Sequence, residues 1–157
     1  MEKIYGANER QDGLVKVGNN YYLYYGFGKD TENAEHGYNY RHKFDHNPTA
    51  EEIKEVVLSA IDAETREKIT TGMMYDGLMV NLSVENQLNY SMFKDMLDQN
   101  SGSIIVKMTD TDGNDKVVTF GRGTFDAFYE QVREHIKNCL QDCWREKAEL
   151  DLGCYLP

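Results

Sequence analysis

Hydrophobic and polar positions fall into runs of two different periods along this chain. Near the N-terminus, Leu14-Val15-Lys16-Val17 and Tyr21-Tyr22-Leu23-Tyr24-Tyr25 flank Gly18-Asn19-Asn20. Two β-prone runs around a turn-forming cluster read as a hairpin. A further extended run from Tyr38 to Phe44 alternates in part between aromatic and polar side chains. Asn47-Pro48 closes this region, because the residue before proline is kept out of the helical basin. From there the period lengthens. Thr49 and Glu52 form a capping box, and Ile53, Val56, Val57, Ala60 and Ile61 recur at helical spacing up to Thr70-Thr71-Gly72.

Met73-Met74-Tyr75 and Leu78-Met79-Val80-Asn81-Leu82 enclose Asp76-Gly77, the strongest hairpin signal in the chain. Ser83 is the expected N-cap of a second helix, whose Val84, Leu88, Met92 and Met96 recur every four residues as one apolar side together with Phe93 and Leu97. Asn100-Ser101-Gly102 ends it. Ile104 to Met108 and Lys116 to Phe120 flank the polar stretch from Asp110 to Asp115, a third hairpin. Thr124 opens the last helix, with an apolar stripe of Phe125, Phe128, Tyr129, Val132, Ile136, Cys139, Leu140 and Cys143 and with Trp144 at its edge. Hairpins between helices favour antiparallel pairing over a parallel sheet. The expected fold is therefore α+β: three helices interleaved with antiparallel β-hairpins, preceded by a Tyr-rich β-segment. Residues 1–48 are read as a β-rich docking segment and 49–157 as the α+β domain.

Charge narrows the chemistry. The 157 residues carry 17 basic and 27 acidic side chains, a net −10, and most of the acidity lies after residue 48. Nucleic-acid affinity comes mainly from clustered Lys and Arg, so no nucleic-acid partner is expected. No apolar stretch approaches a membrane span and the first twenty residues hold no apolar leader core, so no membrane partner is expected either.

Several residue groups invite a chemical reading and decline it on spacing. Cys139 and Cys143 stand one helical turn apart, which offers half a metal site, yet reduced cysteines on an apolar helix face pack as small hydrophobes. His36, His42 and His46 with Asp45 match no local metal signature. Asp110, Asp112, Asn114 and Asp115 surround Gly113 but lack the helical flanks and distal glutamate of a calcium loop. Gly26-Phe27-Gly28-Lys29-Asp30 departs from P-loop spacing, and Gly121-Arg122-Gly123 is too slight for an anion site. With no nucleophile elbow and no zinc-protease helix, the chain is expected to be no enzyme and to hold no metal and no cofactor.

The tyrosines are the informative feature. Tyr21, Tyr22, Tyr24 and Tyr25 place rings on both faces of one strand, and a two-stranded ribbon cannot bury both against one core. Tyrosine supplies large rigid contact area plus a hydroxyl, as protein interfaces use it. A partner-binding surface is expected from Tyr21, Tyr22, Tyr24, Tyr25, Phe27, Tyr38, Tyr40 and Phe44. Packing within the domain and stacking on sugar rings are the competing readings.

The run Ile61-Asp62, Thr65-Arg66-Glu67-Lys68-Ile69, Gly72, Tyr75-Asp76-Gly77, Val80-Asn81-Leu82-Ser83 and Glu85-Asn86-Gln87-Leu88-Asn89-Tyr90 resembles a family of uncharacterised proteins from tailed bacteriophages and prophages of gut anaerobes. Phe128-Tyr129, Ile136, Leu140 and Trp144-Arg145-Glu146-Lys147 are similar to that family as well. The likeness runs from about Tyr40 to Asp151. Its most specific piece is Leu82-Ser83-x-Glu85-Asn86-Gln87, and many members carry an aromatic residue where Asn81 stands. The family sits near tail-fibre assembly proteins and small virion components, so the resemblance implies a structural or accessory virion role, at head or tail. Implied with it are capsid, tail or fibre subunits as partners, a homo-oligomer, and localisation to the virion and, during assembly, the host cytoplasm. The alternatives are a tail-fibre assembly chaperone absent from the mature particle, and a glycan-binding module using Tyr22, Tyr24, Tyr38 and Tyr40.

Overall fold

The structure, a computed structural model, describes residues 1–156. Three helices and two four-stranded antiparallel sheets among the described residues place the chain in the α+β class. In order they are β1 (Glu2–Ala7), β2 (Gly13–Val17), β3 (Asn20–Gly28), β4 (Gly37–Phe44), α1 (Ala50–Thr71), β5 (Met73–Tyr75), β6 (Leu78–Val80), α2 (Val84–Gln99), β7 (Ser103–Thr109), β8 (Asp115–Gly121) and α3 (Arg122–Ala148). Contacts group these residues into two compact units. One comprises Met1–Ala63 with the C-terminal segment from Glu146, the other Glu64–Arg145.

In the first unit the strand order is β1-β4-β3-β2. The expected hairpin joins β2 to β3, with Val17 opposite Asn20, but β1 adds a strand on the far side by pairing Glu2 with Arg41 and Lys3 with Tyr40. The buried apolar residues here are Leu23, Tyr25, Tyr38 and Phe44 of the sheet, Ile53, Val57, Ala60 and Ile61 of α1, and Tyr155. A polar knot holds the C-terminal segment in the same unit. The Tyr25 hydroxyl donates to Glu146, and the Arg10 guanidinium lies 3.7 Å from Glu146, 2.8 Å from Asp12, and 5.0 Å from the Tyr25 ring centroid. Lys147 pairs with Asp62 at 2.5 Å.

The start of α1 is fixed by the capping box and an imidazole. The Thr49 amide donates to Glu52 at 2.8 Å, the Glu52 amide donates back to the Thr49 hydroxyl at 3.3 Å, and His46 bridges Asp45 at 2.8 Å and Glu52 at 3.0 Å. These contacts act oppositely on acid and base. The Thr49 amide, then its hydroxyl and His46, pull the Glu52 carboxyl from 4.5 to about 2. Asp45 first, then Glu52, raise His46 above 6.5. A depressed carboxyl stabilises the fold above its unfolded value and stops doing so as pH falls through its folded value. A raised imidazole stabilises below its unfolded value and stops as pH rises through its folded value. Both act together between pH 4.5 and 6.5. His46→Gln is thus expected to lower the melting temperature more within that window than at about pH 9. Thermal unfolding followed across pH by circular dichroism checks this, and a pH-independent difference would refute the ion-pair account.

In the second unit the order is β5-β6-β7-β8. Asp76 and Gly77 take positive φ (47° and 78°), the left-handed pair that a tight two-residue hairpin needs. Ile104 faces Phe120 and Val106 faces Val118 on the inner side of the β7/β8 pair. The core joins these strands to α2 and α3 through Val80, Leu82, Tyr90, Leu97, Val106, Met108, Phe120, Phe125, Phe128 and Val132.

Around Ser83 the side chains of Asn81, Ser83, Asn86 and Gln87 build a helix entry. The Ser83 hydroxyl accepts from the Asn86 amide at 3.3 Å, and the Asn81 side chain accepts from the Ser83 amide at 2.9 Å. The Asn86 and Gln87 side-chain amides donate to the carbonyls of Asn81 and Leu82 at 2.9 and 2.8 Å. Such contacts satisfy backbone groups that a helix start leaves open, so this motif is accounted for by architecture.

One expectation is corrected in α2. Its buried residues are Tyr90 and Leu97, with Phe93 partly buried, whereas Val84, Leu88, Met92 and Met96 are between 51% and 66% exposed. The two sets lie on different sides of the helix. Rings at 90 and 93 reach Phe128 and Phe125 with centroid distances of 5.3 and 6.5 Å, and this aromatic packing fixes which side turns inward. On α3, Phe125, Phe128, Val132 and Cys143 are buried as the stripe requires, while Trp144 is exposed.

Candidate partner-binding surface

Register divides the N-terminal rings between the two faces of the first sheet. Side chains directly opposite in an antiparallel pair share a face, and successive residues alternate. Tyr21 faces Phe44, Leu23 faces His42 and Tyr25 faces Tyr40. These six, with Tyr38, belong to the inner side, where Leu23, Tyr25, Tyr38 and Phe44 are buried. Tyr22 and Tyr24 point the other way. Opposite them stand Val15 and Gly13 of β2 and Lys43 and Arg41 of β4, and the same face continues through Asn39, Glu2 and Ile4.

The outer face is an aromatic and aliphatic strip with a cation in it. Val15 and Val17 are about half exposed, and Tyr22 and Tyr24 are partly so. Arg41 lies 5.1 Å from the Tyr22 ring centroid and donates to the Glu2 carboxylate through both Nε and Nη2. Glu2 first, then the Tyr24 hydroxyl, hold the Arg41 guanidinium above its ordinary value. Arg41 is therefore a fixed cation that keeps two rings oriented. Beside the strip lies an open cavity of about 330 Å³ lined by Ile4, Gln11, Tyr24, Asn39 and the bend from Tyr5 to Glu9. Asn39 is buried, its amide donating to the carbonyls of Gly26 at 2.6 Å and Glu9 at 3.3 Å.

Of the eight residues expected to bind a partner, the structure brings Tyr22 and Tyr24 to the open face. Tyr25, Tyr38 and Phe44 are core, Tyr21 and Tyr40 flank them half-buried, and Phe27 lies against Gly37 within the irregular stretch of β3 between Tyr25 and Gly28. Because Tyr22 and Tyr24 stand on one face and Tyr38 and Tyr40 on the other, those four rings make no common stacking platform. Val15, Val17, Ile4 and Arg41 were missed. Val15 and Val17 alternate with Lys16, a two-residue period visible in the sequence, but their side of the sheet depends on the pairing with β3. Tyr5 was missed too. Its ring meets Tyr38 edge-to-face at 5.6 Å, and hydrogen bonding to Asp30 raises its hydroxyl pKa.

The other groups weighed for chemistry are engaged separately. His36 bonds Asn8 at 2.9 Å, His46 serves the α1 cap, and His42 lines a cleft with Glu55, Val56 and Ser59, where burial lowers its pKa. The Asp110 carboxylate accepts from the amides of Asn114 and Asp112 at 2.8 and 3.0 Å, which spends it on its own turn. Burial raises the Cys139 thiol, the wrong direction for a nucleophile. Among the described residues no group of three or more His, Cys, Asp or Glu is placed to hold a metal ion. No described helix is long and apolar enough to cross a membrane.

A protein family described as "Domain of unknown function (DUF4376)" matches residues 52–154. That stretch begins in α1, so the Tyr-rich strands precede it. No curated protein and no solved structure matches the chain.

Proposed function

The chain belongs to the DUF4376 family, and we propose that it is a non-enzymatic structural protein of a bacteriophage particle. In this reading it docks on a neighbouring head, tail or fibre subunit through the outer face of its N-terminal sheet. One observation carries the docking surface: Val15, Val17, Tyr22 and Tyr24 share a single sheet face that no described residue covers fully. Aromatic and aliphatic side chains held beside a cation have the make-up of a protein interface, and tyrosine is a frequent energetic anchor there. The particle context comes from the resemblance of residues 61–90 and 128–147 to small phage proteins. Its partners are other virion proteins, and its compartments are the host cytoplasm during assembly and the virion afterwards.

Purified particles of a phage encoding this chain are expected to contain it by mass spectrometry. A variant with Tyr22→Ser and Tyr24→Ser is expected to be lost from particles. An interface tyrosine contributes about 2 kcal/mol, roughly 30-fold in affinity, while partly exposed positions outside an interface shift stability by about 0.5 kcal/mol. Absence of the wild-type chain from particles rejects incorporation. Its recovery instead with unassembled fibre would put an assembly chaperone in its place.

A further inference from the structure

Two apolar faces of the Glu64–Arg145 unit remain uncovered. The first is the α2 stripe of Val84, Leu88, Met92 and Met96, which spans about 18 Å at the helical rise. The second is the outer face of the β5-β6-β7-β8 sheet, where Met74, Met79, Ile105 and Val117 are exposed, Ile105 by 64% and Val117 by 72%. Strand spacing and rise put Met74 and Val117 about 16 Å apart across the sheet, with Met79 between them and Ile105 about 8 Å to one side of that line. The inner side of the same sheet and the Tyr90–Phe93–Leu97 side of α2 share one core, so both bare faces look away from it. Monomeric proteins seldom leave two such patches exposed in one small unit.

Charge selects the occupant. The α2 stripe carries Glu85 and Asp95 among its apolar residues. Neither takes part in an ion pair with a described residue, whereas Asp98 is held by Lys94 at 2.7 Å and by Arg122 at 3.4 Å. The sheet face carries Lys107, across from Val117 and one residue pair along from Ile105. Its pairing with Asp115 at 3.2 Å is solvent-exposed, so it contributes little and is readily exchanged. If two α2 helices met about a two-fold axis, Val84 would oppose Met96 and Leu88 would oppose Met92, but Glu85 would then oppose Asp95 twice. Two sheet faces meeting would leave Glu85 and Asp95 of α2 without a cation, since Lys107 shares its face with Asp115. Helix against sheet brings the unpaired acids of α2 to Lys107 while burying both apolar sets.

We propose that this chain associates head to tail with a second copy of itself, α2 of one copy lying across the outer face of the β5-β6-β7-β8 sheet of the next. Such a contact is heterologous: each copy keeps one free face, so the association extends into a ring or a filament. It stands apart from the docking reading of the N-terminal sheet. Loss of particle incorporation would leave it untouched, and its own failure would not bear on Tyr22 and Tyr24.

Complementation tests it by sedimentation velocity. A helix laid on a sheet is a contact of the small class, under about 1,200 Å², so the wild-type chain is expected to show a sedimentation coefficient that climbs with concentration into the high-micromolar range. Leu88→Glu and Ile105→Glu are each expected to stay monomeric. Mixed in equal amounts they are expected to form a one-to-one dimer that grows no further, since each supplies the face the other has lost. Lys107→Glu is expected to weaken self-association at least tenfold, and Lys107→Glu combined with Asp95→Lys to restore most of it. All four positions are exposed, and unchanged far-ultraviolet circular dichroism keeps the comparison valid; Met96→Glu replaces Leu88→Glu if that variant fails to fold. A monomeric wild-type chain overturns the proposal, as does a monomeric mixture. Continued self-association of Ile105→Glu would overturn it in favour of helix-to-helix pairing.

Discussion

Phe128→Ala is expected to cost the Glu64–Arg145 unit about 3–5 kcal/mol, the range of large-to-alanine changes in filled cores. The side chain is fully buried, and its ring is the meeting point of that core. It stacks on Phe120 of β8 at 5.0 Å, stands edge-on to Tyr75 of β5 at 5.0 Å and to Tyr90 of α2 at 5.3 Å, and is tilted against Phe125 at 5.7 Å. Truncation forfeits transfer free energy and the ring-on-ring contacts together. The cavity it leaves is bounded by a sheet on one side and two helices on another, and these cannot close on it without breaking strand pairing. Domains are commonly stable by only about 5–15 kcal/mol, so the variant loses about a fifth or more of its margin. Urea titration followed by near-ultraviolet circular dichroism measures this, with Phe128→Leu expected to cost less than half as much. A loss under about 1 kcal/mol for the alanine variant would show that the ring cluster is not where this unit keeps its stability.

That cluster was legible in part. The stripe Phe125, Phe128, Val132 has one period and one interpretation, and it is buried as read. The three hairpins around Gly18-Asn19, Asp76-Gly77 and Asp110 to Asp115 were legible because turn chemistry is local. So was the start of α1, where Thr49 and Glu52 sit three residues apart and bond as a capping box should.

α2 was different because it has two apolar sides. Val84, Leu88, Met92 and Met96 make the more regular series, while Tyr90, Phe93 and Leu97 make the bulkier one. Periodicity cannot rank two series on one helix; volume and the facing rings of α3 do. Glu85 and Asp95 within the regular series were the available clue, since unpaired carboxylates do not enter a core. β1 left no clue of the same kind. Its sequence alternates weakly, and its pairing with β4 joins residues 30 to 39 positions apart. The bond from Tyr25 to Glu146 spans 121 positions and depends on the finished fold.

The tyrosine ribbon shows how a local pattern can be right while its assumed surroundings are too small. Rings on both sides of β3 were visible in the sequence, and the need to cover two faces followed from the pleat. A third and a fourth strand give the inner rings a wider sheet, and residues of α1 and the C-terminal segment complete that unit's core. What remains open is half the ribbon, Tyr22 and Tyr24, joined by the two valines of β2. The surface proposed for docking is thus narrower than eight residues, and it is set by register rather than by composition.

Gly72→Ala is expected to destabilise the same Glu64–Arg145 unit by about 2–5 kcal/mol, for two causes that can be separated. Gly72 links α1 to β5 with φ +95°, a conformation that costs an L-residue about 1–2 kcal/mol. The surroundings add a second cost. A Cβ at this position would stand 1.7 Å from the Val80 carbonyl oxygen and 2.8 Å from its carbon. Both are backbone atoms of the strand that pairs with the next residue, Met73. No rotamer change relieves such a clash. Either the last turn of α1 must move, breaking the bond from the Leu82 amide to the Thr70 carbonyl at 3.2 Å, or β5 must leave β6. Overpacking of this kind adds about 1–3 kcal/mol. Gly77→Ala supplies the comparison, because Gly77 also has positive φ (78°) but nothing within 4 Å of its Cβ position. It should therefore lose only the conformational part. Equilibrium unfolding of the two variants under one condition gives the difference: a larger loss at 72 assigns the excess to the Val80 backbone, and equal losses would mean that the strand yields without cost.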